Sequence, residues 1–249
     1  MVGEPTAPVR TRPSGRVWLV AACAIGVIVF LAVVLPGVLD VKHSERTYVI
    51  SAPIERVVFD SKGTAGVEIS PSSDGKVHVL RKSSISRDSR LREQRHVAGK
   101  TLTLRSSCTG SRLGVLRRCD FHYHLRVPKK VVLSVRVHFG RVTIHGIRGR
   151  LNFKSDAGDL VGYGCHARAY LSVTFGQIDY RDTCVPTIVH ARVKGGDITL
   201  TVPAGRYDVH AARHAQRPFE NIIQDPASRS VIDVGITWAG SIQIKGARR

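Results

Sequence analysis

Aromatic side chains, methionine and acidic residues are all scarce in this chain. Phe, Trp and Tyr together make up 6% of its residues, and there is a single Met. Because few rings are available to stack on bases, the composition argues against a nucleic-acid-binding protein. Asp and Glu number 19 against 38 Lys and Arg, which gives a formal net charge of +19 at pH 7. A charge of this sign and size attracts polyanions, and salt weakens the attraction.

Several motifs of enzymes and cofactor sites are also missing. The chain contains no C-x-x-C pair, no G-x-S-x-G nucleophile elbow and no phosphate-binding glycine loop. Beyond an apolar run near the N-terminus, no stretch keeps the 3.6-residue apolar period of an amphipathic helix. The sequence therefore predicts an all-β protein that is not an enzyme and has no small-molecule cofactor.

The apolar run has the length of a membrane span. Residues 17–39 form an uncharged segment of 23 residues rich in Val, Ala, Leu and Ile. At about 1.5 Å per residue, such a helix crosses the roughly 30 Å hydrocarbon layer of a bilayer. Three Arg precede the run, which favours a cytoplasmic N-terminus. We predict a disordered cytoplasmic tail at 1–16, a transmembrane helix at 17–39 and an extracytoplasmic domain at 40–249.

Two other readings of this run remain open. A cleaved signal peptide has an apolar region of about 7–15 residues before small residues, whereas this run is longer and ends without such a site. A lipoprotein signal is suggested by the residues before Cys23, although only six apolar residues precede it. In each case the domain lies outside the cytoplasm, and we predict a single-pass protein of the bacterial cell membrane.

Cysteine usage fits an oxidising compartment. Cys23 falls in the apolar run, and four Cys remain in the domain. An even number of Cys in an exported domain predicts two disulfides, for which three pairings exist. Local spacing favours Cys108 with Cys119 and Cys165 with Cys184. Four unpaired core cysteines are the alternative.

Basic residues concentrate between positions 81 and 118. This stretch holds 11 Lys or Arg against two acidic residues, Asp88 and Glu93. We interpret 81–118 as a basic insertion whose surface binds a polyanion, and a solvated charged segment is the alternative. The residues predicted to bind the polyanion are Arg81, Lys82, Arg87, Arg90, Arg92, Arg95, Arg112, Arg117 and Arg118.

A short unit centred on glycine returns along the second half of the chain. The glycines are Gly140, Gly158, Gly176, Gly196 and Gly240, at intervals of 18, 18, 20 and 44 residues. A period near 20 predicts stacked structural units, none of which buries a hydrophobic face alone. The last interval predicts one degenerate repeat, with an irregular excursion over 213–228.

Alignment on these glycines brings like side chains to equal positions. An aliphatic residue stands two positions after each glycine, and an apolar residue stands five before it, except at Gly235. The two sets are Val142, Leu160, Ile178, Ile198 and Ile242, and Val135, Phe153, Leu171 and Ala191. Stacked layers turn such sets into continuous inward ladders. We therefore predict a single-stranded β-solenoid with repeats of about 18–20 residues, preceded by one N-terminal transmembrane helix.

One segment carries a resemblance to a known family. Residues 123–135 read Tyr-His-Leu-Arg-Val-Pro-Lys-Lys-Val-Val-Leu-Ser-Val, and repeated Gly-Asp-(Leu/Ile) follows. This pattern resembles the bacterial putative-adhesin domain family, also called DUF4097, over 45–247 and most strongly over 120–205. The resemblance implies an envelope protein with one N-terminal membrane segment, a non-catalytic β-solenoid and a role in adhesion. The chain departs from the family in its basicity, its cysteine pairs and its Arg-rich stretch.

Three smaller groups of residues have competing readings. His122 and His124 project to one side of a strand, as metal ligands can, but without a third ligand we read them as surface residues. Asp159 and Asp197 could form part of an acid–base site, but turn chemistry after glycine explains them better. Trp238 is read as a cap on the last layer, with sugar stacking as the alternative.

These features predict a membrane-anchored extracytoplasmic binding or scaffold protein of the bacterial envelope, with an adhesin-like domain. We expect its basic surface to engage anionic wall polymers, glycans or lipid headgroups. The alternative is an envelope regulatory or sensory protein that binds another protein through the solenoid face. Neither a nucleic-acid partner nor a metal is expected.

Overall fold

The computed structural model describes residues 23–28, 41–86, 89–110, 119–211 and 219–247. Apart from a helical segment at 23–28, all of the regular structure in these ranges is β. The strands are β1 (Val41–Ile50), β2 (Arg56–Pro71), β3 (Val77–Ser86), β4 (Ser89–Ala98), β5 (Thr101–Gly110), β6 (Cys119–Val127), β7 (Val132–Phe175), β8 (Ile178–Asp182), β9 (Ile188–Gly195), β10 (Ile198–Pro203), β11 (Gly205–Ala211), β12 (Ile222–Gln224), β13 (Val231–Ala239) and β14 (Ile242–Ala247).

The 14 strands form one hydrogen-bonded sheet in which most pairings are parallel. β2 pairs in parallel with β5, β6 and β7, and β7 pairs in parallel with β8 and β9. From there, one parallel series continues from β9 to β13 to β11, and another continues from β8 to β10 to β14. The chain thus alternates between two parallel series, which we call the first flank (the β9 series) and the second flank (the β8 series).

β7 is long because it contains more than two repeats of the chain. Its beginning pairs with β2, and its later parts pair with β8 on the second flank and β9 on the first. The same spacing holds where the chain enters β7, since Lys130, two residues before this strand, bridges Arg148 in parallel register 18 residues later. Segments 132–137, 150–155 and 168–173 therefore lie on the first flank. Each repeat forms one layer, with one segment in each flank.

The inward ladder expected from the repeat alignment is confirmed on the second flank. Ile178 pairs with both Leu160 and Ile198, and Ile198 pairs with Ile242. All four side chains are at most 1% exposed. Parallel, in-register pairing places each aliphatic side chain directly on its equivalent in the next layer, so the repeat builds a continuous apolar core.

The repeated glycines stack on one another. Gly140, Gly158, Gly176, Gly196 and Gly240 have φ values between 122° and 151°, a region that L side chains rarely adopt. A Cβ placed on Gly176 would lie 2.1 Å from the carbonyl oxygen of Gly158. Glycine is therefore required at these positions for two reasons. Its φ angle is unfavourable for other residues, and a Cβ would clash with the backbone of the layer below.

The last repeat departs from the alignment based on the glycines. Val234, and not Gly235, pairs with Ala191, and a β-bulge follows Ile236. A bulge adds one residue to one strand, which shifts the inward positions by one. Val234 is 1% exposed and continues the inward ladder. The apparent break in the ladder at Gly235 was thus an error of register in the sequence prediction.

The sheet is antiparallel at one end. β3 pairs antiparallel with β6, β4 with β5, and β1 with β3. β5 in turn pairs in parallel with β2. The described residues of the stretch interpreted as a basic insertion, 81–118, therefore form strands that belong to the sheet.

At the other end, chain order and spatial order differ. β13 pairs directly with β9, whereas β11 pairs with β13 on its far side and β12 pairs with β11. The degenerate repeat predicted between Gly196 and Gly240 is therefore the outermost layer, because β11 precedes β13 in the chain but β13 lies between β11 and β9. The predicted excursion over 213–228 contains β12, and 212–218 lie outside the described residues.

A single hydrophobic core lies between the two flanks. Phe59 of β2 reaches inward from the first flank and Tyr123 of β6 from the second, with their ring centroids 5.0 Å apart in an edge-to-face arrangement. Because the inward sides of both flanks are occupied by this core, binding surfaces can form only on the outward sides, at the corners and at the two ends.

Two disulfides join parts of the sheet, with the pairing predicted from spacing. Cys108–Cys119 links β5 to β6, and Cys165–Cys184 links adjacent layers of the second flank, with Cα–Cα distances of 6.4 and 5.0 Å. Disulfides persist in oxidising compartments, which is consistent with an exported domain.

The helical segment at 23–28 is exposed and contains the unpaired Cys23. Within the residues that the structure describes, no helix has the length and apolarity needed to cross a bilayer. The remainder of the predicted span at 17–39 and the whole predicted tail at 1–16 lie outside the described residues.

Candidate functional site: a basic flank crossed by a groove

The outward side of the first flank is rich in exposed Lys and Arg. Strand alternation buries Val57 and Phe59 of β2 and turns their neighbours outward. β4 extends this side, because Gln94 lies opposite Arg105 in the β4–β5 ladder. The exposed cations of this surface, which we call the basic flank, are Arg56, Arg90, Arg92, Arg105, Arg136, Arg150, Lys154 and Arg168. Its acidic residues are Asp60, Asp208 and Asp233.

The repeat arranges some of these cations in rows. Arg136 and Lys154 are 18 residues apart, as are Arg150 and Arg168, so the members of each pair lie on adjacent layers. Adjacent strands are about 4.8 Å apart, so that neighbouring cations can contact successive charges of one polymer. Like charges in such a row repel one another, and a bound polyanion would remove that repulsion.

A groove with a volume of about 490 Å³ crosses the basic flank. Its lining comes from β5, β2, the three first-flank segments of β7, and β9. Because six strands at about 4.8 Å spacing border it, the groove extends for roughly 24 Å across the layers. The polar and aromatic residues that line it are Asp60, Arg105, Ser134, Arg136, Asn152, Lys154, Tyr170, Ser172 and His190.

Asp60 lies between two cations of the groove. The register places it beside Arg105 on β5 and beside Arg136 on β7. Its Oδ1 is shielded from solvent and has no hydrogen-bond partner among the described residues. A shielded acceptor without a donor is unfavourable. Asp60 therefore places a carboxylate between two positive charges, with one of its oxygens buried and unpaired within the described part of the chain.

An aromatic ring lies at the far end of the groove. Tyr170 is 38% exposed, and its ring centroid is 6.3 Å from that of His190. His190 Nδ1 lies 2.9 Å from Asp233, which also accepts two 2.7 Å hydrogen bonds from Arg192. These contacts hold His190 beside Tyr170 on the next strand, and the tyrosine ring remains partly exposed.

The predicted polyanion-binding residues are only partly together, and Arg81 is not at the surface. Arg81 is 4% exposed and donates a 2.7 Å hydrogen bond to Glu93. Tyr48 and Tyr123 donate to the same carboxylate at 3.1 and 3.0 Å. Burial, and then the charge of Glu93, raises the pKa of both tyrosines. Arg81 neutralises an interior carboxylate and is not available to an external ligand.

The other predicted residues lie in different places. Arg90 and Arg92 are exposed on the basic flank. Lys82 is exposed elsewhere and lies 3.9 Å from Glu45, while the guanidinium of Arg95 stacks 4.6 Å from the ring centroid of Tyr48. Four more fall outside the described residues: Arg87, Arg112, Arg117 and Arg118.

The sequence analysis missed the cations of the groove, although a signal for them was present. The prediction was based on basic residues that are close together along the chain, whereas Arg136 and Lys154 come together only because they occupy equal positions in successive repeats. A search for basic residues at outward positions one repeat apart would have found this row. Arg105 lies in the basic stretch 81–118 but was not among the residues predicted to bind the polyanion.

His122 and His124, the pair considered as a metal site, each contact a different neighbouring residue. His124 Nδ1 lies 3.0 Å from Glu68, and the ring of His122 covers Gly66. Among the residues that the structure describes, no cluster of three or more His, Cys, Asp or Glu is arranged to hold a metal ion.

Asp159 and Asp197 connect successive layers at the glycine corner. Asp159 accepts a 3.2 Å hydrogen bond from the backbone N–H of Gln177, and Asp197 accepts one of 2.8 Å from the N–H of Ser241. Arg141 also donates to Asp159 at 3.2 Å. Each carboxylate is thus occupied by the equivalent position of a neighbouring layer, in agreement with the reading as turn chemistry.

A buried polar cluster stands beside the Cys165–Cys184 disulfide and was not foreseen. The hydroxyl of Tyr180 donates to Asp182 at 2.9 Å and lies 2.8 Å from His166 Nδ1, and all three side chains are at most 1% exposed. Burial raises the pKa of Asp182 to about 6 and lowers that of His166 to about 4. Since all three side chains are buried, we assign them to the core.

An exposed aromatic pair occupies the glycine corner near the last repeat. Trp238 is 63% exposed and Phe175 is 49% exposed, and their ring centroids are 5.4 Å apart. The bulge in β13 displaces Trp238, and Gly195 has no side chain to separate the two rings. Trp238 lies on the side of the layers and not over the outermost one, which is formed by β11 and β12. This position does not fit a cap.

Comparison with known proteins gives weak similarity to solved structures. No protein-family model matches the chain, and no curated protein matches it. A "putative cell adhesion protein" from Clostridium sporogenes covers 83% of this chain and 100% of its own, with 16% identity and a TM-score of 0.46. A "putative adhesin" from Bacteroides fragilis covers 83% and 97%, with 14% identity and a TM-score of 0.39.

A third solved structure has a different description. It is a "putative lipid binding protein" from Parabacteroides distasonis that covers 85% of this chain and 97% of its own, with 12% identity and a TM-score of 0.28. At these values the similarities carry no argument about the ligand of this chain, and the functional case depends on its own surface.

Proposed function

We propose that the chain is a membrane-anchored extracytoplasmic binding or scaffold protein of the bacterial envelope, adhesin-like and without catalytic activity. In this proposal residues 17–39 are the anchor, residues 1–16 are cytoplasmic, and the layers form a β-solenoid of the DUF4097 type. The in-register parallel layers and the stacked glycines support the solenoid. The two disulfides support the extracytoplasmic location.

The basic flank is the proposed binding surface, and its ligands are anionic wall polymers, glycans or lipid headgroups. The observation that carries this proposal is the row of exposed cations that borders the groove, above all Arg105, Arg136 and Lys154. Arg136 and Lys154 lie on adjacent layers, and Arg105 lies two strands from Arg136 with Asp60 between them. The three cations therefore follow one direction across the strands, which matches a linear polyanion.

The test is the binding of the purified full chain to anionic polymers and to anionic liposomes over a range of salt concentrations. We expect affinity to fall steeply as salt rises. The double variant Arg136→Gln/Lys154→Gln should lose about tenfold or more in affinity at low salt. Arg126→Gln/Arg181→Gln is the matched control, because both of its sites are on the second flank.

Two outcomes would contradict this proposal. Absence of binding at low salt to every anionic polymer and liposome would remove the polyanion function. Equal losses in the two double variants would show that net charge alone acts and that the basic flank has no special role.

One observation favours the alternative of a protein partner. The Phe175–Trp238 pair exposes apolar ring surface, and exposed aromatic pairs are frequent at protein interfaces. If the chain is a regulatory or sensory protein, a partner captured from native membranes should be lost with Trp238→Ser and retained with Arg136→Gln/Lys154→Gln.

A further inference from the structure

We infer that the groove of the basic flank binds an acidic polysaccharide, a linear chain of sugars that carry carboxylates, and not a polyphosphate or a phospholipid surface. The inference rests on the proposed function, because it names the class of polyanion for the same groove. Three features of the groove support it: the spacing of its cations, the position of Asp60 between two of them and the exposed ring of Tyr170.

The cations of the groove suit carboxylates that recur once per sugar. Arg136 and Lys154 occupy adjacent layers, about 4.8 Å apart, which is close to the length of one sugar unit. The planar guanidinium of Arg136, and that of Arg105 two layers away, can each hold a carboxylate through two parallel hydrogen bonds. The groove is long enough for several sugar units in a row.

Asp60 distinguishes a glycan from a polyphosphate. Its carboxylate stands between Arg105 and Arg136 and repels any anionic group placed over it. A glycan can place a neutral hydroxyl at this position, whereas every unit of a polyphosphate is charged. Ser134 and Ser172, which line the groove, can exchange hydrogen bonds with sugar hydroxyls, groups that a polyphosphate lacks. Asn152, which also lines the groove, can donate and accept hydrogen bonds with further hydroxyls.

Tyr170 gives the groove a surface for the apolar side of a sugar ring. The ring is 38% exposed, and His190 lies beside it on the next strand. Flat C–H faces of sugars pack on aromatic rings, whereas phosphate groups gain nothing from such a surface. A planar bilayer is also a poor match, because the lining residues of the groove include the strand backbone level, which a flat lipid surface does not enter.

The experiment compares three probes on the purified full chain at the same ionic strength: polygalacturonate, inorganic polyphosphate and phosphatidylglycerol vesicles. We expect polygalacturonate to bind most tightly. The variant Tyr170→Ala should weaken polygalacturonate binding about five- to tenfold and change polyphosphate binding less than twofold. Tyr163→Ala is the matched control, since Tyr163 is an exposed tyrosine on the second flank.

The outcomes separate this inference from the proposed function. If no probe binds, the proposed function fails together with the inference. If polyphosphate or vesicles bind more tightly than polygalacturonate, or if Tyr170→Ala affects polyphosphate as much as polygalacturonate, the inference fails while the polyanion function stands.

A second measurement on the unaltered chain covers the case in which Tyr170→Ala does not fold. Galacturonate oligomers of increasing length are used to displace labelled polygalacturonate. We expect displacement to improve with length until the oligomer fills the groove, at about five units if each spans one strand spacing of the roughly 24 Å groove. Displacement that depends only on total charge, with oligophosphates equally effective, would overturn the inference.

Discussion

Arg81 donates a 2.7 Å hydrogen bond to Glu93 within the antiparallel end of the sheet, and their side chains are 5% and 16% exposed. Tyr48 on β1 and Tyr123 on β6 donate to the same carboxylate. One acidic side chain on β4 thus ties together β1, β3 and β6. The most basic stretch of the sequence uses one of its own cations to stabilise the fold.

Replacement of Arg81 by Met should destabilise the protein strongly. The change leaves the carboxylate of Glu93 without its cation in a shielded site, and we expect a loss of about 3 kcal/mol in the free energy of unfolding. Urea unfolding of the full chain measures the change. Lys82→Met is the control, because Lys82 is exposed and its loss should cost less than about 0.5 kcal/mol. Equal effects of the two substitutions would contradict the role assigned to Arg81.

Replacement of a stacked glycine should be far more costly than replacement of an ordinary one. In Gly176→Ala the added Cβ would lie 2.1 Å from the carbonyl oxygen of Gly158, at a φ of 133°. We expect a loss of about 3 kcal/mol or more, since two adjacent layers must separate. For Gly205→Ala the nearest atom is 3.5 Å away, and the loss should stay below about 1 kcal/mol. Thermal unfolding compares them, and similar melting temperatures would contradict the stacking argument.

The buried carboxyl of Asp182 should give stability an unusual dependence on pH. Burial raises its pKa from 3.8 to about 6, so that the folded state holds a proton that the unfolded state releases. The contribution of Asp182 is therefore favourable below pH 3.8 and is lost as pH rises through 6. His166 acts oppositely: its lowered pKa makes its contribution fully present above pH 6.5 and lost as pH falls through about 4.

The variant Asp182→Asn should remove the contribution of Asp182 to the pH dependence of stability and leave that of His166. Its amide can still accept from the backbone N–H of His166 and donate to the hydroxyl of Tyr180. Relative to the unaltered chain, we expect the variant to gain about 2 kcal/mol in free energy of unfolding between pH 4 and pH 7. Urea unfolding at each pH measures this gain. The exposed Asp179→Asn is the control, and a gain that does not vary with pH would contradict the assignment.

Much of the fold could be predicted because its structural repeat is visible as a repeat of residue types in the sequence. Glycines at equal intervals and aliphatic residues two positions later indicated the layers, and Leu160, Ile178, Ile198 and Ile242 lie in register as expected. The spacing of the cysteines also indicated the correct pairing. These features depend on local geometry that each repeat reproduces, so that one sequence period specifies one layer.

The binding site could be predicted only in part. Arg90 and Arg92 were identified and lie on the basic flank. Arg81, in contrast, lies on the inward side of β3, where it is paired with the carboxylate of Glu93 on β4. Linear charge density does not reveal which side of a strand faces solvent or which strand lies opposite. The bulge after Ile236 likewise shifted the last repeat by one residue, and no residue type in β13 predicted this bulge.

The sequence by itself determined the all-β class, the layer period, the inward ladders and the sign of the charge. Only the tertiary structure decided the spatial order of the layers, in which β13 lies beneath β11 although it follows β11 in the chain. It also decided that Arg136 and Lys154 join Arg105 along one groove. The physical reason is that strand alternation and repeat spacing are local properties of the chain, whereas the order of layers and the neighbours of a side chain depend on pairing between segments that are distant in sequence.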